Sequence, residues 1–125
     1  MIVDTDVLIW YMRGNLKAAQ ALGSLKDFSI SVVTHIELVQ GMRNKRELNL
    51  LLKFLKNREV KTFQINEEIS LKAQFYVEQH FLSHAVTLAD ALIAATCVVH
   101  GLPVLTSNDK HYTIIKGVRV QKFVP

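Results

Sequence analysis

A chain of 125 residues, half of them hydrophobic, with a formal net charge of +4 and a single cysteine, can bury a core as one domain but has no internal disulfide to staple it. The excess of 15 Lys and Arg over 11 Asp and Glu is modest and favours an anionic partner. No apolar run is long enough to span a bilayer, and Met1-Ile2-Val3 leads straight into an acid, unlike a signal peptide, so a protein of the reducing cytoplasm with no membrane partner is expected.

In chain order, Met1 to Val3 reads as a buried strand followed by Asp4. Val7 to Met12 is helical and Arg13-Gly14-Asn15 breaks it; Leu16 to Leu25 is a second helix with Gly23 inside it. Phe28 to Val33 is rich in β-formers and reads as the second strand. Thr34 to Met42 is the next helix, and Arg43 to about Glu59 a separate one whose Leu48, Leu51, Leu52 and Leu55 share an apolar face. Lys61 to Ile65 is a short strand, and Asn66 opens a helix to about Phe81. Thr87 to His100 is apolar on most sides, hence buried, and Gly101 with Pro103 stops it. Val104 to Thr106 is a strand, Asn108 to Ile115 a turn and short helix, and Val118 to Phe123 the last strand. Strands alternating with helices predict an α/β protein, one domain over 1–125, with a parallel sheet covered on both faces.

Four acids, Asp4, Glu37, Asp90 and Asp109, fall where strands end or helices begin. A parallel sheet gathers its strand ends along one edge, where such folds bind ligands. Carboxylates meeting there repel unless a cation lies between them, and Mg²⁺ takes oxygen ligands of this kind. Each acid also has a plainer explanation. Asp4 or Asp6 caps a helix; Thr34…Glu37 is a capping box, and Thr87…Asp90 a looser version; Asp109 sits among turn-forming residues. His80 and His84 are four apart but lack a third ligand and read as surface or loop residues, while His35, His100 and Cys97 read as structural.

Taken together, four segments resemble the PIN-domain nucleases, specifically the VapC-type toxins of toxin–antitoxin pairs. They are Ile2-Val3-Asp4-Thr5-Asp6-Val7-Leu8-Ile9; Ser31 to Leu38 with Gly41; Leu88-Ala89-Asp90-Ala91 to Thr96; and His100-Gly101-Leu102-Pro103-Val104-Leu105-Thr106-Ser107-Asn108. The resemblance reaches from residue 2 to about 112. It implies a three-layer α/β/α domain with a small parallel central sheet and metal-dependent endonucleolytic cleavage of RNA. Asp4, Glu37 and Asp90 match the family's three best-fixed acids. The fourth position departs from the pattern: Asn108 matches an Asn, His111 stands where the later acid would be, and Asp109 is one residue off that frame.

On this reading Mg²⁺ (Mn²⁺ as a substitute) is held by Asp4 and Asp90, with Asp109 or Asn108 assisting, and Glu37 orients the attacking water or completes the metal shell. Thr5, Thr106 or Ser107 would donate to phosphate oxygens. The basic stretch from Arg43 to Lys61, including Lys45 and Arg46, is either a solvated helix face or a flank for RNA phosphates. Trp10, Tyr11 and Phe54 are core residues by default and otherwise part of an apolar groove. The resemblance also implies a homodimer and a VapB-type antitoxin covering the site, which suits the mean hydropathy of +0.19. Two other readings remain: an RNA- or protein-binding scaffold of the same fold with weak turnover, and a haloacid-dehalogenase-like phosphatase starting from Asp4-Thr5-Asp6.

Overall fold

The computed structural model describes residues 1–82 and 86–125. Five parallel strands form one sheet in the order β3-β2-β1-β4-β5: β1 is Ile2–Val3, β2 Ser29–Ser31, β3 Lys61–Phe63, β4 Val104–Thr106 and β5 Val120–Lys122. The described residues hold seven helices: α1 Thr5–Met12, α2 Leu16–Gly23, α3 Val32–Gln40, α4 Lys45–Asn57, α5 Glu67–His80, α6 Leu88–His100 and α7 Lys110–Thr113. From β1 the chain steps outward to β2 and β3, then returns to the opposite side of β1 as β4 and β5. The strand order therefore reverses between β1 and β4, and the carboxyl ends of those two strands flank the crevice where such sheets take ligands.

Because side chains alternate along a strand, the central strands feed two cores. Ile2 and Val104 pack with Ile69, Ala73, Tyr76, Ala91 and Ala95 of α5 and α6. Val3 and Leu105 pack on the other face with Val7, Leu8, Leu22, Leu51 and Leu55 of α1, α2 and α4. This is the three-layer arrangement expected, and it explains why the central strands are apolar throughout. No described helix is long and apolar enough to cross a membrane.

Most helix starts are written locally. Asn15, Asn44, Asn66 and Thr87 each accept the backbone N–H three residues on, from Ala18, Glu47, Ile69 and Asp90. Such a cap contributes about 1 kcal/mol. Gly101, at φ +63°, ends α6 in the left-handed conformation that glycine adopts without a Cβ penalty. The predicted Leu16–Leu25 helix ends at Gly23. Several starts differ from the sequence reading by one or two residues, α1 opening at Thr5 rather than Val7 and α4 at Lys45 rather than Arg43, and the shift of α3 bears on the site. α3 begins at Val32 rather than Thr34, and its cap is Ser31, whose Oγ accepts from Val33 N at 3.1 Å. Thr34…Glu37 is therefore no capping box: Thr34 is fully buried and Glu37 lies in the second turn.

Candidate active site

Asp4 follows β1 and caps α1, its Oδ1 accepting from Thr5 N at 2.8 Å. Its Oδ2 accepts from Thr106 Oγ1 at 2.8 Å, which ties the ends of β1 and β4 together. The same Thr106 hydroxyl accepts from Asn108 N at 2.9 Å. Asp6, one turn position further, accepts from Ser107 N at 2.8 Å and from the Ser107 hydroxyl. Two carboxylates from one Asp-Thr-Asp segment thus stand side by side at the crevice.

Glu37 reaches this edge from α3. Its Oε1 lies 2.7 Å from Thr5 Oγ1, which is also 2.9 Å from Thr34 Oγ1. A carboxylate only accepts and a hydroxyl has one proton, so Thr5 donates to Glu37 and accepts from Thr34. The early start of α3 is what turns Thr34 inward to complete this chain. Asp90 arrives from the first turn of α6; Thr87 caps its backbone N–H while its Oδ2 meets His111 Nδ1 at 3.0 Å. Asp4 and Asp90 both act on the phenol of Tyr112, which burial first, and then these two charges, keep protonated. Asp4, Asp6, Glu37 and Asp90 are accordingly brought to one edge.

The remaining sequence candidates are placed differently. Asp109 carries an ion pair with Lys122 at 3.8 Å, and Asn108 is exposed. The hydroxyls of Thr5 and Thr106, expected to donate to phosphate, are committed to Glu37 and Asp4, and Thr106 is fully buried. Arg43 forks onto Glu47, with Nη2–Oε2 at 2.7 Å. Lys45 and Arg46 are exposed. Arg58 is structural: its guanidinium donates to the Leu22 and Leu25 carbonyls and lies 5.1 Å from the centre of the Phe28 ring. Tyr11 and Phe54, with ring centroids 5.0 Å apart, line a groove of about 720 Å³ that has Glu37 in its wall. Trp10 instead packs against the α1–α4 core. His84 lies outside the described residues.

Asp6 and His111 are the residues that sequence reasoning passed over as site members. Asp6 read equally well as a helix cap, and nothing local ties His111 to Asp90.

The electrostatics of the edge are unbalanced. Asp4 is 5% exposed, and burial, followed by repulsion from Asp6, raises its pKa to about 7 against the pull of hydrogen bonds from Thr106 and Thr5. Among the described residues no Lys or Arg pairs with Asp4 or Asp6. The Tyr112 hydroxyl beside Asp4 is buried and has no aligned hydrogen-bond partner. Cys97 is equally inert, its thiol pushed up to about 12 by burial and then by Asp4. A crowded carboxylate that binds a proton this readily also attracts other cations. Among the described residues no group of three or more His, Cys, Asp or Glu side chains is placed to hold a metal ion. A partly hydrated hard ion does not need one, since it takes one or two carboxylates and keeps several waters. The donor chemistry present fits such an ion.

Comparison with known proteins places these features in context. Residues 1–117 match the family model of the PIN domain. Ribonuclease VapC10 of Mycobacterium tuberculosis is 33% identical over 131 residues, covering 100% of this chain and 95% of the relative. Ribonuclease VapC1 of Methanocaldococcus jannaschii is 28% identical over 117 residues, covering 93% of this chain and 81% of the relative. Among solved structures, a toxin–antitoxin complex from Klebsiella pneumoniae superposes with a TM-score of 0.80 at 26% identity, covering 98% of both chains.

Proposed function

This chain belongs to the PIN domain family, and from that premise we propose that it is a metal-dependent endoribonuclease, the VapC-type toxin of a toxin–antitoxin pair. The observation that carries this reading is the meeting of Asp4, Asp6, Glu37 and Asp90 at the reversal of strand order, with a buried carboxylate that has no basic partner among the described residues. Relatives named ribonucleases that align with the whole chain or nearly all of it support it.

Asp4 and Asp90 would hold Mg²⁺ or Mn²⁺, with Asp6 beside Asp4. Bound there, a divalent ion supplies Lewis acidity, acidifying water and offsetting charge on the scissile phosphate. Glu37, held at 2.7 Å by the Thr5 hydroxyl, is fixed as an acceptor and orients the attacking water for in-line displacement. Thr106 and Thr5 orient carboxylates, and the exposed Lys45 and Arg46 steer the RNA backbone. The groove beside Glu37, with Leu50 58% exposed in its wall, offers apolar surface to a VapB-type antitoxin. The toxin–antitoxin complex among the structural neighbours supports that partner. A homodimer would cover further exposed side chains such as Leu71 and Phe75.

The test is RNA cleavage by the purified protein. Cleavage is expected with Mg²⁺ or Mn²⁺, to be lost on adding EDTA, and to be absent from Asp4→Asn and Asp90→Asn variants whose circular dichroism is unchanged. Full activity in both variants would end the proposal. Intact RNA with the metal-loaded wild type would favour the binding scaffold.

A further inference from the structure

We infer that Thr34, a fully buried side chain of α3, is a positioning residue for the reaction: through the hydroxyl of Thr5 it fixes the Glu37 carboxylate with one oxygen held and the other left to act. The inference rests on the nuclease reading above and names the group that aims its water-orienting acid.

Glu37 has a long side chain with little to restrain it. Among the described residues no Lys or Arg pairs with it, and its carboxylate accepts one hydrogen bond, from Thr5 Oγ1 to Oε1 at 2.7 Å. How well Oε2 is aimed therefore depends on how firmly the Thr5 hydroxyl is held. The other partner of Thr5 Oγ1 is Thr34 Oγ1, at 2.9 Å. Since the proton of Thr5 goes to Glu37, that of Thr34 goes to Thr5. The result is a relay, Thr34 to Thr5 to Glu37, that crosses from α3 to α1 and back. A hydroxyl that accepts one hydrogen bond while donating another is polarised, which strengthens the bond it donates.

Packing alone does not call for a hydroxyl at position 34. Thr34 is 0% exposed. A buried hydroxyl costs free energy unless it is bonded, whereas valine has nearly the same shape and no polar group to satisfy. Burial also keeps Thr34 off the RNA, so it acts only through its neighbours. The backbone supplies the geometry. α3 starts at Val32 under the Ser31 cap, which sets Thr34 and Glu37 on one face of the helix, and Asp4 caps α1 directly before Thr5. If instead Thr34 and Thr5 only satisfy each other in the core, removing the Thr34 hydroxyl alters stability and leaves turnover alone.

The deciding experiment measures kcat and KM for RNA cleavage by the full chain with Mg²⁺, in wild type, Thr34→Val, Thr34→Ser, Thr5→Val and the double variant. In Thr34→Val, kcat should fall about three- to tenfold, the worth of one hydrogen bond, with KM unchanged. Thr34→Ser, which keeps the hydroxyl, should retain the wild-type kcat. In the Thr5→Val background the second substitution should change nothing, because the relay is already cut. An unchanged kcat in Thr34→Val, an equal loss in Thr34→Ser, or losses that multiply in the double variant would each overturn the inference. Nuclear magnetic resonance of the isotope-labelled wild type decides even should Thr34→Val fail to fold. A slowly exchanging Thr34 hydroxyl proton in contact with Thr5 is expected, and its absence refutes the relay. Wild-type cleavage with an equally active Thr34→Val defeats this inference alone, whereas no cleavage by the metal-loaded wild type defeats the nuclease reading as well.

Discussion

Asp4 is pulled between two demands. As the cap of α1 and the acceptor for Thr106 it holds β1 to β4, yet its charge is buried beside Asp6. The folded-state pKa of about 7 exceeds the ordinary value of 3.8, so between those values the folded protein holds more protons than the unfolded one. Stability then falls as pH rises through that window, and the destabilisation is fully present above it. In EDTA, Asp4→Asn should therefore be more stable than wild type at about pH 8, on the order of 1–3 kcal/mol, and the difference should shrink toward about pH 4. Urea denaturation at both pH values measures this. A wild type that is the more stable of the two at the higher pH would show that the Thr106 and Thr5 hydrogen bonds outweigh burial.

At the scale of elements, α4 and its C-cap residue Arg58 mix two kinds of basic residue that look alike in sequence. Arg58 is bonded to carbonyls of the α2 region, while Lys45 and Arg46 are exposed. Reversing the charge of Lys45 and Arg46 should weaken RNA binding and flatten its salt dependence, by roughly 0.7 in log–log slope for each phosphate no longer neutralised. Arg58→Ala should leave that slope alone and instead lower stability by about 1–2 kcal/mol. An unchanged slope in the charge-reversed protein would mean that this face of α4 is merely solvated. The order of strands and helices was legible because period and punctuation are local signals, as with the apolar face of α4 and Gly101 after α6. The start of α3 was not, since Val32 and Val33 are β-branched and favour a strand; Ser31 caps them into a helix. The convergence of acids at strand ends was legible from topology. The bond from Ser107 N to Asp6, between residues 101 apart, and the pairing of Asp90 with His111 were not, because neither leaves a trace in local spacing.

For the whole molecule, the crevice couples ion binding to folding. An ion that binds only the folded chain stabilises it by roughly 2.7 kcal/mol at about a hundred times its Kd. The melting temperature at about pH 8 should rise on adding Mn²⁺ or Mg²⁺, because Asp4 is then ionised. That rise should be much reduced in Asp4→Asn, and scanning calorimetry of both proteins checks it. An equal rise in the two would place the bound ion elsewhere.

The crowding of Asp4 against Asp6 has a genetic consequence. Asp4 accepts hydrogen bonds that tie the fold together, but its buried charge works against folding, so neutralising that charge while keeping an acceptor relaxes the protein rather than breaking it. On the nuclease reading, survivors of a selection against cleavage should thus include Asn at position 4 in full-length, well-behaved chains. Truncated or misfolded products need not dominate. Such survivors would keep every surface that lies away from the crevice, and with it the capacity to occupy a binding partner while doing no harm.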